Sequence, residues 1–244
     1  MNNISVSKRE SEIMNKIKEH EQIIFTAKDV QRFLHISKRN AYQLFQRMKE
    51  KKIIVTIEQG KYMLREHWDS LNIYDIASSL ITPCYIGFWS ALHFHHLTDQ
   101  VPQTVFVVTT KRKRSQILQN QKISFVTLKP HWFFGYERYH HTVVSDKEKT
   151  IIDCLHVPAY SGGIDHIYQS LTSDLNIDTL IMYCQKTKSS TIASRLGYLL
   201  DKKQLLTKRT PLKRMITSYA KLDPLMKKKR VDKTWKLYIG EKIK

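Results

Sequence analysis

The residues best suited to chemistry lie between Ser37 and Arg47, where Ser37-Lys38-Arg39-Asn40 is followed by Gln43 and Arg47. Arginine offers two parallel donors that match guanine in the major groove. Asparagine and glutamine offer the donor–acceptor pair that matches adenine. Lysine suits phosphate, and a Ser37 N-cap would leave a helix amino terminus whose dipole favours an anion. Gln59 and Lys61, either side of Gly60, are placed to touch the nucleic-acid backbone or minor groove. A second basic set, Lys111-Arg112-Lys113-Arg114 with Lys129 and Arg138, is open to several readings: DNA, RNA, a partner protein or a solvated loop. Any one of these residues alone could be a solvated face, so the weight rests on the ordered set.

Other chemistries have weaker sequence support. His93 and His96 are three apart and could share a helix face as a metal pair. Their aromatic and leucine neighbours, with no carboxylate or cysteine at helical spacing, favour a packed helix instead. Asp146, Glu148 and Asp153 invite a metal-dependent nuclease, which needs carboxylates for the metal and a lysine for the phosphate. The acid-x-Lys runs occur at Glu50-Lys51-Lys52 and Asp201-Lys202-Lys203, at expected helix ends where cations complement the dipole. Asp146 reads better as a helix cap and Glu148 as a first-turn acid. Cys154 and Cys184 have no local basic partner to activate a thiolate. Gly162-Gly163 before a helix could hold an anion, but a turn explains it more simply. No phosphate-loop, dinucleotide or nucleophile-elbow pattern occurs. The sequence therefore implies no catalytic residue, no metal and no cofactor, with a nuclease as the alternative.

These side chains need elements to hold them. Ser7 with Glu10, and Thr26 with Asp29, are capping-box patterns that open helices. The first helix turns Ile13, Met14 and Ile17 inward; the second turns Ala27, Val30, Phe33 and Leu34. After a turn at His35–Ser37, a third helix buries Ala41, Leu44, Phe45 and Met48 and exposes the polar set above. Ile53, Val55 and Ile57 alternate as a strand, Gln59-Gly60 turns, and Lys61 to Leu64 returns. Three helices followed by a hairpin is the order of a winged helix-turn-helix, and this spacing predicts a DNA-binding domain over residues 1–66. Residues 67–84 read as a helical connector. Residues 85–244 read as mixed α/β: a helix from Ile86 to Leu97, strands at 104–110, 122–129 and 140–145, then helices over 146–155, 162–171 and 189–200. The WKLYI run near the end has strand character, and KKKR at 227–230 falls in a loop before it. The fold class is thus α+β, a winged helix followed by a mixed α/β domain.

Charge points the same way. The net charge is +19, distributed as +6 over residues 1–66, +2 over 67–200 and +11 over 201–244. Basic ends flanking a nearly neutral middle suit a polyanionic partner. Three scattered cysteines argue against a disulfide framework and a structural zinc site. The polar amino terminus and the lack of a long apolar run imply a cytoplasmic protein with no membrane partner.

The blocks YIGFWSALHFHHLTDQVPQTVFVVTTKRKR at 85–114, FVTLKPHWFFGYE at 125–137, SDKEKTIIDCLHVPAYSGGI at 145–164 and SRLGYLL at 194–200 resemble the AbiEi antitoxins of abortive-infection systems. The resemblance extends over about residues 5–240, with LDPL and DKTWKLYI in the same order near the end. It implies an amino-terminal winged helix and a carboxy-terminal antitoxin domain. It also implies repression of the protein's own promoter through repeats in double-stranded DNA. A nucleotidyltransferase-like toxin would be counteracted without a stable complex, and the carboxy-terminal domain would present further basic surface. An orphan regulator that kept the fold without a toxin is the alternative within the same resemblance.

Overall fold

A computed structural model describes residues 6–206, 209–227 and 229–240. Of the KKKR run, Lys228 lies outside them. The chain divides into two compact units, Met1–Leu80 and Ile81–Lys244.

The first unit begins with α1 (Lys8–Glu19), β1 (Phe25–Thr26), α2 (Ala27–Leu34) and α3 (Lys38–Glu50). It continues with β2 (Ile54–Glu58), β3 (Lys61–Leu64), α4 (Arg65–Ser70) and α5 (Ile73–Ser79). The capping boxes at Ser7/Glu10 and Thr26/Asp29 form, and the Asn40 amide donates to Ser37 Oγ at 3.3 Å. His35 takes the left-handed conformation that ends α2 and turns the chain into α3. Ile13 and Ile17, Val30, and Ala41, Leu44, Phe45 and Met48 meet Phe25, Tyr62 and Leu64 in one core. Each large side chain buried there contributes about 1.5–3 kcal/mol. The strands form an antiparallel sheet in the order β1-β3-β2.

Residues 67–84 do not form one helical connector. The α4 helix ends at Ser70, and Asn72 starts α5 by accepting from the amides of Tyr74 and Asp75. Both helices belong to the first unit, whereas Cys84 already opens a strand of the second.

The second unit opens with β4 (Cys84–Ile86), α6 (Phe88–Phe94), β5 (Thr104–Thr109), β6 (Gln116–Leu118) and β7 (Gln121–Thr127). Next come β8 (Tyr136–Tyr139), β9 (Thr142–Ser145), α7 (Lys147–His156), α8 (Ile164–Gln169), α9 (Ile177–Thr187) and α10 (Ser190–Lys202). It ends with α11 (Thr210–Lys213), β10 (Ala220–Lys221), β11 (Arg230–Asp232) and β12 (Leu237–Ile239). Six strands form a mixed sheet, β6-β7-β5-β4-β9-β8. The helix expected to begin at Ile86 begins at Phe88, because Ile86 pairs with Val107 of β5, as Tyr85 does with Val108. A strand this short followed by an apolar run carries helix and strand periodicity together.

The α7 and α10 helices carry the core of this unit. Every residue of α10 from Ile192 to Leu200 is buried. Its Gly197 admits the indole of Trp235, since a Cβ there would lie 2.1 Å from Trp235 Cζ3. Trp235 Nε1 also donates to Asp201 Oδ2 at 3.2 Å. The buried Arg195 guanidinium donates to the carbonyls of Leu155 (2.5 Å) and Lys221 (3.1 Å). These contacts fasten the second sheet of this unit, β10-β12-β11, to α10.

Candidate nucleic-acid interface

The site is built on α3. Ala41, Leu44, Phe45 and Met48 fix its inner face in the core, so the residues between them must face solvent. Ser37, Lys38, Arg39, Asn40, Gln43 and Arg47 are all exposed. Arg39 and Gln43 lie one turn apart, roughly opposite the buried stripe, as a helix entering a groove requires. No acidic residue occupies the first turn of α3. The face thus combines side chains of the types that can pair with base edges with an amino-terminal dipole.

The hairpin β2–β3 lies beside α3, with Gln59 exposed at its tip. Gly60 has φ +79°, a conformation that favours glycine in this tight turn. Lys61 differs from expectation. Its ammonium pairs with Glu58 at 2.7 Å and donates to the Leu80 carbonyl at 2.9 Å. This half-buried lysine braces the hairpin, leaving Gln59 as the projecting group.

A cleft of about 390 Å³ opens between α2, the start of α3 and the hairpin turn, lined by Thr26, Lys28, Gln31, Lys38, Tyr42 and Gly60. The Lys38 ammonium lies 6.0 Å from the centre of the exposed Tyr42 ring. Two ammonium groups, an amide and a phenol around one notch can donate to phosphate oxygens. Lys28, Gln31 and Tyr42 escaped the sequence reading. The signal available was their spacing: Lys28 is in the first turn of α2, Gln31 one turn later, and Tyr42 one turn after Lys38.

The basic run of the second unit follows β5. Its strand end is secured by Leu128 N–H to the Thr109 carbonyl (2.9 Å) and Thr127 Oγ1 to the Lys111 carbonyl (3.3 Å). Lys111 spends its ammonium on the Thr82 carbonyl at 2.6 Å, and that of Lys113 lies 5.4 Å from the centre of the Phe125 ring. Arg112 and Arg114 are exposed. Lys129 is exposed just beyond β7, and Arg138 on β8 at the opposite edge of the sheet.

The groups weighed for other chemistry have local duties. His93 lies in the last turn of α6 and His96 beyond its end, at φ +56°, so the two do not share a helix face; between them His95 Nε2 is 2.6 Å from the Ser145 carbonyl, and burial lowers its pKa. Asp146 caps α7 and accepts from Tyr183 Oη at 2.9 Å. Glu148 accepts from the Asn176 amide at 2.8 Å. Asp153 is fully buried, paired with Lys149 and accepting from Tyr85 Oη at 2.8 Å. Glu50 accepts from Gln46, and Asp201 from Arg209 and Trp235. Cys84, Cys154 and Cys184 are buried, which pushes their thiols up. Gly162 and Gly163, at φ +75° and +89°, make the turn into α8. No group of three histidines, cysteines or carboxylates placed to hold a metal occurs among the described residues. None of their helices is long and apolar enough to cross a membrane.

No protein-family model matches this sequence, and no curated protein does. Its fold, however, has a solved counterpart. The chain is similar in fold to the RV2827C protein from Mycobacterium tuberculosis. The TM-score is 0.59, over 96% of this chain and 92% of that one, at 10% sequence identity. Such a likeness is one of architecture, that of a mixed α+β chain.

Proposed function

We propose that this protein is a DNA-binding transcriptional autorepressor that serves as the antitoxin of an abortive-infection toxin–antitoxin system and has no catalytic activity of its own. The observation that carries the DNA reading is the exposed face of α3, where Arg39, Asn40, Gln43 and Arg47 stand clear of the core. The element order α1-α2-α3 followed by the hairpin β2–β3 supports a winged helix-turn-helix, with α3 in the major groove and Gln59 at the wing tip. The cleft at Lys28 and Lys38 would seat the sugar-phosphate backbone beside it. Exposed cations at the carboxy-terminal end, among them Lys213, Arg214 and Arg230, would add phosphate contacts.

The antitoxin role, the promoter repeats and a nucleotidyltransferase-like toxin rest on the resemblance of the sequence blocks at 85–114, 125–137, 145–164 and 194–200 to AbiEi proteins. Gel shifts on the protein's own promoter test the DNA reading. Arg39→Ala and Asn40→Ala should each weaken specific binding about 5- to 100-fold, the cost of a lost bidentate base contact, and leave non-specific binding nearly unchanged. If neither substitution changes specific binding, α3 is not the reading element. Divalent-metal-dependent cleavage of the same DNA would overturn the non-catalytic assignment.

A further inference from the structure

The small sheet β10-β12-β11 has two unlike faces. Leu237 and Ile239 of β12 are buried in the core with Trp235, so Tyr238 between them points to the other side. Its register partners are Lys221 on β10 and Val231 on β11, which therefore share that outer face. The Tyr219 ring stands 5.4 Å from that of Tyr238, and Met226 lies over Gly240 at the end of the same strand. Tyr219 is 44% exposed and Val231 50%. The face is thus a pair of tyrosine rings on an apolar strip, edged by Lys221 and by Lys229 and Lys233 on either side of Val231.

We propose that this outer face is a binding site for single-stranded nucleic acid, with bases stacked on Tyr219 and Tyr238 and phosphates met by the surrounding lysines. Charge selects a polyanion. The two carboxylates of the segment, Asp223 and Asp232, accept from the amides of Leu225 (2.9 Å) and Trp235 (2.7 Å), leaving cations to dominate the rim. The rings and Val231 select against a duplex. In a duplex the base faces are hidden in the stack, and aromatic or aliphatic surface gains nothing from a phosphate backbone. A single strand offers bare base faces, and an aromatic-bearing sheet ringed by cations suits them. This site goes beyond the promoter reading and uses none of the α3 residues.

Fluorescence anisotropy on the full chain tests the site with labelled dodecamers of uridylate and of thymidylate, and with promoter duplex as a separate arm. Both dodecamers should bind. Tyr219→Ala should weaken that binding about tenfold, Tyr219→Phe should retain it, and both variants should bind the duplex as the parent does. Tyr219 is exposed, so these variants keep the fold, and an unchanged circular dichroism spectrum checks this. A preference for one dodecamer, or equal binding of both, supports the site and reports whether the sugar is read. No dodecamer binding at low salt overturns the proposal, as does unchanged affinity in Tyr219→Ala. Equal weakening of duplex and single strand also overturns it, because the face would then be an extension of the duplex contact. Arg39→Ala tests the promoter reading separately, since it should affect the duplex arm alone.

Discussion

Lys149 is fully buried, four residues from Asp153 on α7, and its ammonium faces both that carboxylate and Tyr85 Oη at 3.0 Å. The phenol in turn donates to Asp153, and burial together with that carboxylate holds the Tyr85 pKa well above its ordinary value. The triad ties β4 to α7 from the inside, with the Phe134 ring centre 5.0 Å from the ammonium. Removing either charged member leaves the other buried without its partner. Asp153→Ala should therefore cost about 3–5 kcal/mol in urea unfolding, whereas the double variant Lys149→Met/Asp153→Leu should recover most of that loss. A double variant as unstable as the single one would show that packing, and not the lone charge, sets the cost. The caps at Ser7, Thr26, Ser37 and Asp146 were legible in the sequence because each partner lies three residues away, within one turn. Tyr85 and Asp153 are 68 residues apart, and Arg195 reaches carbonyls 26 and 40 residues away; no local period announces such pairs. The partner of Lys61 is hidden for the same reason: spacing places it in the hairpin, and the distant Leu80 carbonyl that engages its ammonium carries no local signal.

At the scale of elements, the amphipathic helices were legible because one buried stripe dictates the exposed one. The buried residues of α3 match those its spacing requires, and the polar set follows from them. The error at β4 has the opposite origin. Cys84, Tyr85 and Ile86 are all buried, so no alternation marks the strand. Only pairing to β5 and β9, far along the chain, decides it. Docking of the small sheet on α10 was likewise invisible, since Gly197 inside a helix advertises nothing until Trp235 is placed against it. Gly197→Val would put a branched side chain where the indole sits, an overpacking that costs about 1–3 kcal/mol or more. A blue-shifted, buried tryptophan emission should give way to a solvent-exposed one as Trp235 is displaced. Retention of the parent emission and stability would mean the sheet has another anchor.

For the whole molecule, the +19 net charge predicts how binding responds to salt. Each phosphate neutralised contributes about −0.9 to the slope of log affinity against log salt concentration. Lys28→Ala and Lys38→Ala should each reduce the steepness of the promoter slope by about one and weaken all duplexes alike, because phosphate contacts carry no sequence. An unchanged slope would remove the cleft at Lys28 and Lys38 from the interface. Arg39→Ala should instead change which sequence is preferred. That difference separates positioning from reading, and it leads to the measurement nearest the central claim that α3 reads bases in the major groove. In a methylation-interference experiment on the protein's own promoter, N7-methylation of particular guanines should abolish binding of the parent protein. Binding by Arg39→Ala, though weaker, should become insensitive to methylation at one of them. Interference identical in parent and variant, or absent from both, would contradict the account.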